Sequence, residues 1–202
     1  MNWECKMPEV INLTCPGCGA RLQIDQKKCE YCDAPVIISS ITDIFSISAQ
    51  NITKYSKSYE NDLSQNPDNA ELTNSLAFCY IRLGFYDKAL EKFDKAIELD
   101  MNNPNTYFFA AVSVLAGRKP FLTPRQDIDK IEKYLNAALA LEENGLFRYF
   151  QAYIKHDYFK RKFFKTSPTW EECLERAKSD KFSPADVNQL FSIMKQEIPE
   201  CL

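Results

Sequence analysis

The chain has 202 residues, a formal net charge of −3 at pH 7, eight cysteines and five glycines. A mildly acidic chain gives no overall attraction to phosphates, and apolar runs such as 36–48 are broken well before the roughly eighteen residues of a membrane span. The first residues lack the basic region and apolar stretch of a secretory signal, so we expect a cytoplasmic protein with reduced cysteines and no membrane partner.

Two matched cysteine pairs, Cys15-Pro-Gly-Cys18 and Cys29-Glu-Tyr-Cys32, come first along the chain, with ten residues between them. Each pair can form a tight turn that directs two thiolates at one ion about 2.3 Å away. Gly19 or Asp33 follows each pair, and both residue types tolerate the positive φ that such a knuckle needs. The spacing predicts one structural Zn²⁺ on the four cysteines. Two disulfides are the alternative, which a reducing compartment disfavours.

The segment 12–38 resembles a zinc ribbon of the rubredoxin-knuckle type, with strands expected at Arg21–Ile24 and Pro35–Ile38. Four cysteine ligands leave no open position for water or substrate, so the metal is expected to build the ribbon rather than to catalyse a reaction. A segment this short buries too little apolar surface to fold without metal. The remaining cysteines lack a partner at ligand spacing and are expected to be ordinary thiols: Cys5, Cys79, Cys173 and Cys201.

After residue 53, apolar residues recur at helical spacing between proline-containing breaks. The segment 70–100 closely resembles the tetratricopeptide (TPR) repeat, a 34-residue pair of antiparallel helices. The residues on the positions of that motif are Leu76, Ala77, Tyr80, Gly84, Ala89, Phe93 and Ala96. Small side chains let the two helices approach closely, and Gly84 ends the first helix. Thr73 and Met101 replace the tryptophan and the late proline of the motif.

The same spacing predicts further repeats on both sides. A second pair starts at Pro104, and its connection over 117–126 is about seven residues longer than the motif. The first helix of a third repeat follows Gly145. Two closing helices are predicted to start at Ser167-Pro168 and at Ser183-Pro184. The fold class is therefore mostly α, a TPR-like α-solenoid of antiparallel helix pairs with a small N-terminal β zinc ribbon. The predicted regions are a zinc ribbon at 12–38, a leading helix at 39–66, TPR-like repeats at 67–165 and capping helices at 166–202.

The TPR resemblance implies a non-catalytic scaffold that binds a peptide or amphipathic helix of a partner protein in its concave groove. The zinc ribbon would be a second docking module or a cap. On this resemblance the groove residues are Asn74, Phe78, Ile81, Arg82, Phe108, Val112, Tyr149, Tyr153 and His156. They are mostly apolar and aromatic, which favours an apolar ligand over a terminal carboxylate. In the alternative, the protein's own C-terminal helices fill the groove.

Basic and aromatic residues are interleaved over 155–165. The cations there are Lys155, Lys160, Arg161, Lys162 and Lys165, opposed by Asp157. Such a segment can contact phosphates while rings stack on bases, so the alternative function is a nucleic-acid-associated factor that uses this segment or the ribbon. The positive and negative charges of the ribbon cancel, so phosphate binding by the ribbon has no electrostatic support. A second interpretation of the segment places Tyr158, Phe159, Phe163 and Phe164 in the core and the lysines on a solvated face.

Catalysis has little basis in the sequence. His156 is the one histidine, and no nucleophile pairs with it in the sequence. Glycine-rich phosphate loops are absent as well. We therefore predict that the protein is not an enzyme.

Overall fold

The computed structural model describes residues 13–22 and 26–200, and within them two short strands precede nine α-helices. The strands are β1 (Leu13–Thr14) and β2 (Arg21–Leu22), and the helices are α1 (Ile41–Ser46), α2 (Ile52–Gln65), α3 (Ala70–Leu83), α4 (Tyr86–Leu99), α5 (Pro104–Leu115), α6 (Arg125–Leu141), α7 (Gly145–Ile154), α8 (Trp170–Asp180) and α9 (Pro184–Met194). A 3₁₀ turn over Pro120–Leu122 precedes α6, and a π-helix over Lys155–Lys160 continues α7. No helix of the described chain is both long and apolar enough to cross a bilayer.

The strands of the ribbon agree only in part with the expected positions. β1 runs antiparallel to β2, with Leu13 opposite Leu22, whereas Pro35 makes only an isolated bridge to Lys28. The strand expected at 21–24 is confirmed over 21–22, and residues 23–24 lie outside the described part. Of the strand expected at 35–38, only Pro35 takes part in a bridge. The reason is that each cysteine knuckle closes as its own turn, so the chain pairs across each knuckle rather than between the two knuckles.

The helices form consecutive antiparallel pairs. α3 packs against α4, α5 against α6 and α7 against α8, while α2 packs on α3 and α4 on α5. At the start of α3 the Asn69 side chain accepts a hydrogen bond from Leu72 N at 2.9 Å. At its end Gly84 adopts φ +80°, and Phe85 N donates to Tyr80 O at 2.9 Å. This left-handed cap sends the chain back antiparallel, as predicted for the first helix of a TPR repeat.

Local signals set most of the other helix starts. Helix α5 starts at Pro104 as expected, and the side chain of Asn103 caps it. Ser183 caps α9 ahead of Pro184, also as expected. The predicted start at Ser167-Pro168 is wrong, because α8 begins at Trp170. Thr169 and Glu172 there bond to each other's backbone N–H groups, and this capping box satisfies two donors at once.

An aromatic core runs through the stack. The ring of Phe78 packs 5.5 Å from Phe93 and 4.7 Å from Phe109, measured between ring centroids. Phe108 continues the row 4.4 Å from Phe147. All five of these side chains are at most 1% exposed. The predicted mostly α architecture is confirmed, and its stability rests on apolar burial between successive helices.

Candidate functional site

The two cysteine knuckles have matching backbone geometry. Gly19 N donates to Cys15 O at 2.8 Å, and Asp33 N donates to Cys29 O at 2.9 Å. The φ angles of Gly19 and Asp33 are +79° and +57°, so the predicted positive-φ positions are confirmed. Each turn brings its two sulfur atoms to the same side of the backbone.

The two turns bring four sulfur atoms together. All four Sγ atoms of Cys15, Cys18, Cys29 and Cys32 lie within 4.8 Å of one another, with 3.6 Å between Cys15 and Cys32 and 3.6 Å between Cys18 and Cys29. Tetrahedral ligands with bonds of about 2.3 Å stand about 3.8 Å apart, whereas a disulfide requires about 2.05 Å. The predicted clustering is confirmed, and the donor set fits a metal that prefers thiolates.

The environment of the sulfurs differs within each pair. Cys15 and Cys29 are buried, and Cys18 and Cys32 are exposed. Burial raises the pKa of the Cys15 thiol to about 12. Burial also acts to raise the pKa of Cys29, but hydrogen bonds from the backbone N–H groups of Tyr31 and Cys32 and from the thiols of Cys15 and Cys18 outweigh it and lower the pKa to about 7. Because thiolates bind metal and thiols do not, occupation of this cluster would release protons.

The two cysteine knuckles pack against α2. The ammonium group of Lys54 donates to the carbonyl oxygen of Gly17, and the buried hydroxyl of Tyr59 donates to Val36 O at 2.8 Å. A Cβ added to Gly17 would lie 3.3 Å from the Tyr55 hydroxyl and 3.3 Å from the sulfur of Cys32, so the contact leaves little free space. The ribbon is thus packed against the first helix of the stack.

The predicted groove residues are placed deeper than expected. Seven of them are buried: Asn74, Phe78, Ile81, Phe108, Val112, Tyr149 and Tyr153. Phe78 and Phe108 belong to the aromatic core, and Asn74 Oδ1 accepts a hydrogen bond from Thr106 Oγ1 at 3.0 Å. Arg82 and His156 are half-buried. The expectation that these side chains form an open groove needs correction, and binding of a partner at this face stays a prediction.

Helix α9 covers part of this face. The Phe191 ring lies 5.0 Å from that of Tyr153 and 6.3 Å from that of Tyr149. Tyr86 Oη donates to Ile193 O at 2.7 Å, and the Gln196 side-chain amide donates to the carbonyl oxygen of Gly117. The alternative that the protein's own C-terminal part fills the groove therefore agrees with the positions of these residues.

Helix α1 and the residues just before it also cover part of this face. The sequence pattern did not predict this contact. Helix α1 contacts α3 and α9, and Phe45 lies 4.1 Å from the guanidinium carbon of Arg82. Before α1, Ile38 N donates to the hydroxyl of Ser75 at 2.9 Å. The sequence signal was weak, because the apolar run of 36–47 fits a strand, a short helix or a linker equally well.

The basic segment divides into a buried and an exposed half. Tyr158 and Phe159 are each 4% exposed, so their assignment to the core is confirmed. Phe163 and Phe164 are 94% and 52% exposed, so the same assignment is wrong for them. The π-helix ends at Lys160, after which the helical periodicity that placed all four rings on one face no longer applies.

Three cations of this segment contact carboxylates or aromatic rings of the stack. Lys155 is 5% exposed and lies 3.6 Å from a carboxylate oxygen of Glu132. Arg161 pairs with the buried Asp157 at 2.5 Å, and Lys162 lies 3.9 Å from the ring centroid of Tyr158. His156 packs against Trp170, with ring centroids 4.8 Å apart.

Comparisons with known proteins agree with the helical repeat. Residues 70–103 match the family model of the tetratricopeptide repeat. The crystal structure of TTC0263, a thermophilic TPR protein of Thermus thermophilus, has a similar fold, with a TM-score of 0.56 and 15% identity over 76% of this chain and 77% of that chain. MamA MSR-1 C2 is also similar, with a TM-score of 0.44 and 17% identity over 75% of this chain and 85% of that chain. No curated protein matches the chain.

Proposed function

We propose that this protein is a non-catalytic scaffold for protein–protein interaction, with a structural zinc ribbon joined to a TPR-like stack. The TPR repeat at 70–103, preceded by α2 and followed by two further helix pairs, is the observation that supports the proposal most. Stacked helix pairs present large, rigid surfaces without any need for catalytic side chains. TPR repeats are commonly used in this way.

The four-cysteine cluster has a structural role in this proposal. Cys15, Cys18, Cys29 and Cys32 would hold one Zn²⁺ and leave no coordination position open. The metal would fix the ribbon against α2, where Tyr59 and Lys54 contact it. This arrangement makes the ribbon a cap on the first helix of the stack, in a compartment reducing enough to keep the thiols free. We place the protein in the cytoplasm on that ground.

Helix α9 indicates the kind of partner that the concave face would accept. It is an amphipathic helix whose buried side chains are Val187, Leu190, Phe191, Ile193 and Met194. Phe191 packs on Tyr149 and Tyr153, both of which the TPR resemblance assigns to the groove. A partner helix with a similar apolar face would bind there by replacing α9.

Affinity capture from the lysate of the native host tests this proposal, at low and at high salt and after nuclease treatment. Phe191→Ala weakens the hold of α9 while leaving the concave face unchanged, so it should increase the amount of a salt-resistant protein partner. Ser192→Ala alters an exposed residue of the same helix and should behave like the intact chain. If neither chain retains a protein at high salt after nuclease treatment, the scaffold proposal is wrong.

A further inference from the structure

Two exposed aromatic rings follow the π-helix. Phe163 is 94% exposed and Phe164 is 52% exposed. Phe163 adopts φ +60°, and Phe164 N donates to Phe159 O at 2.9 Å, so a hydrogen-bonded turn holds this part of the chain. Single exposed apolar residues are ordinary on protein surfaces, but two adjacent rings among cations form a larger feature.

Phe164 belongs to the wall of a cleft of about 360 Å³. The lining residues are Lys155, Lys160, Phe164, Lys165, Thr166, Thr169, Trp170 and Glu171. This volume is within the usual range of small-ligand pockets. The capping box of Thr169 and Glu172 already occupies N–H groups at the start of α8, so attraction for an anion must come from the lysines.

The cleft has an excess of positive charge. Three lysines line it, against the single carboxylate of Glu171. Lys155 is partly neutralised by Glu132, whereas Lys160 and Lys165 are exposed and form no ion pair with any carboxylate in 13–22 or 26–200. Two solvent-facing ammonium groups therefore flank a cleft that has two aromatic residues in its wall.

We propose that this cleft binds single-stranded nucleic acid, with a base against Phe164 and Trp170 and neighbouring phosphates at Lys160 and Lys165. Sequence-tolerant binding of single strands combines these two elements, a positive channel and aromatic stacking surfaces. A duplex conceals the faces of its bases, so it would use the lysines alone. An anionic bilayer would meet the protruding Phe163 and leave the recessed cleft unused. The inference goes beyond the scaffold function and does not depend on it.

Tryptophan fluorescence tests the proposal directly, because the chain has two tryptophans and Trp170 lines the cleft. In a Trp3→Phe background, a short oligouridine titrated at low salt should quench the Trp170 emission. Phe164→Leu should weaken binding about tenfold through lost stacking. Lys160→Gln combined with Lys165→Gln should reduce the slope of log affinity against log salt by about 1.4, about 0.7 for each lost phosphate contact.

The matched control is Phe85→Leu, which alters a ring of similar exposure, 53%, at the turn between α3 and α4. It should leave oligonucleotide affinity unchanged, and circular dichroism should show that each variant keeps its helices. The proposal is overturned if oligouridine does not quench Trp170, or if Phe164→Leu and Phe85→Leu bind equally well. It is also overturned if the protein sediments with phosphatidylserine vesicles while oligouridine leaves the emission unchanged, since the surface would then be a lipid-binding one.

Discussion

The ribbon and the helical stack obtain their stability from different sources. In 14–22 and 26–36 the buried apolar side chains are few: Cys15, Pro16, Leu22, Cys29 and Val36. The stack instead buries a continuous series of rings from Phe78 to Phe150, whose contacts pass from one helix pair to the next. A short segment buries too little apolar surface to fold on its own and needs a metal, whereas a longer one is stabilised by its apolar core. The stability of the ribbon should therefore depend on thiol chemistry, and that of the stack on apolar area.

Replacing one cysteine of the cluster should have the largest effect and should separate the two regions. Cys18→Ser removes one of the four sulfurs, and structural zinc supplies on the order of 10 kcal/mol to such small folds. We expect loss of bound zinc and unfolding of the ribbon, while the far-ultraviolet circular dichroism of the helices changes little. Zinc content by mass spectrometry and the helical signal are measured on the same sample.

Cys5→Ser is the control for this experiment, because the sequence gives Cys5 no partner cysteine at metal-ligand spacing and its replacement should leave zinc content unchanged. If Cys18→Ser also removed a large part of the helical signal, the ribbon would be a required cap on the stack. If it kept zinc at full occupancy, the four-cysteine site would be wrong.

A core substitution should produce the opposite pattern. Phe93 is 0% exposed and packs against Phe78, so Phe93→Ala should lower the free energy of unfolding by about 3–5 kcal/mol. Zinc content should stay unchanged. Urea denaturation followed by circular dichroism measures the loss. Phe85→Ala, at a ring that is 53% exposed, should change stability by no more than about 0.5 kcal/mol. Equal losses in the two variants would contradict the assigned core.

The contact between the two regions can be weakened at one atom. Tyr59→Phe removes the hydroxyl that donates to Val36 O and leaves that carbonyl without its partner, at a cost of about 1–3 kcal/mol. The bond joins α2 to the end of the ribbon. The rate of zinc loss to a chelator should therefore rise, and the midpoint of urea unfolding should fall. Tyr107→Phe is the control, since no hydrogen bond of the Tyr107 hydroxyl is found in the described structure. A change in neither quantity would mean that the regions are energetically independent.

Features set by neighbouring residues were predictable from the sequence. The spacing of Cys15, Cys18, Cys29 and Cys32 predicts their clustering, because each pair needs only one local turn. Gly84 marks the end of α3 for the same reason. One complete TPR repeat was then sufficient to predict the pairing of the neighbouring helices.

Features set by distant contacts were not predictable. Helical spacing assigns Arg82 and Tyr149 to faces of their helices, but it does not say whether α1, α9 or another molecule covers those faces. The four aromatic residues of 158–164 have one periodic pattern, yet the helix ends after Lys160 and only the first two rings are buried. The strand expected at 35–38 is reduced to a bridge at Pro35 for a similar reason, because the hydrogen bonds close each knuckle separately.

The smallest predicted effect uses a backbone conformation that the two regions share. Gly19 in the ribbon has φ +79° and Gly84 in the stack has φ +80°, so alanine meets nearly the same strain at both, about 1–2 kcal/mol. An added Cβ at Gly19 meets no described atom within 4 Å, and at Gly84 it meets only the end of the flexible Lys195 side chain. The two substitutions therefore differ mainly in the region that they affect.

Gly19→Ala should weaken zinc affinity by about five- to thirtyfold and leave the unfolding of the stack unchanged. Gly84→Ala should lower the unfolding free energy by the same 1–2 kcal/mol and leave zinc affinity unchanged. Asparagine tolerates the left-handed region better, and Asp33 already occupies the equivalent position of the second knuckle with φ +57°. Gly19→Asn should thus recover part of the affinity that Gly19→Ala loses. Equal affinities for these two variants would show that backbone strain does not limit the knuckle, and that the four sulfur bonds alone determine how tightly it holds the metal.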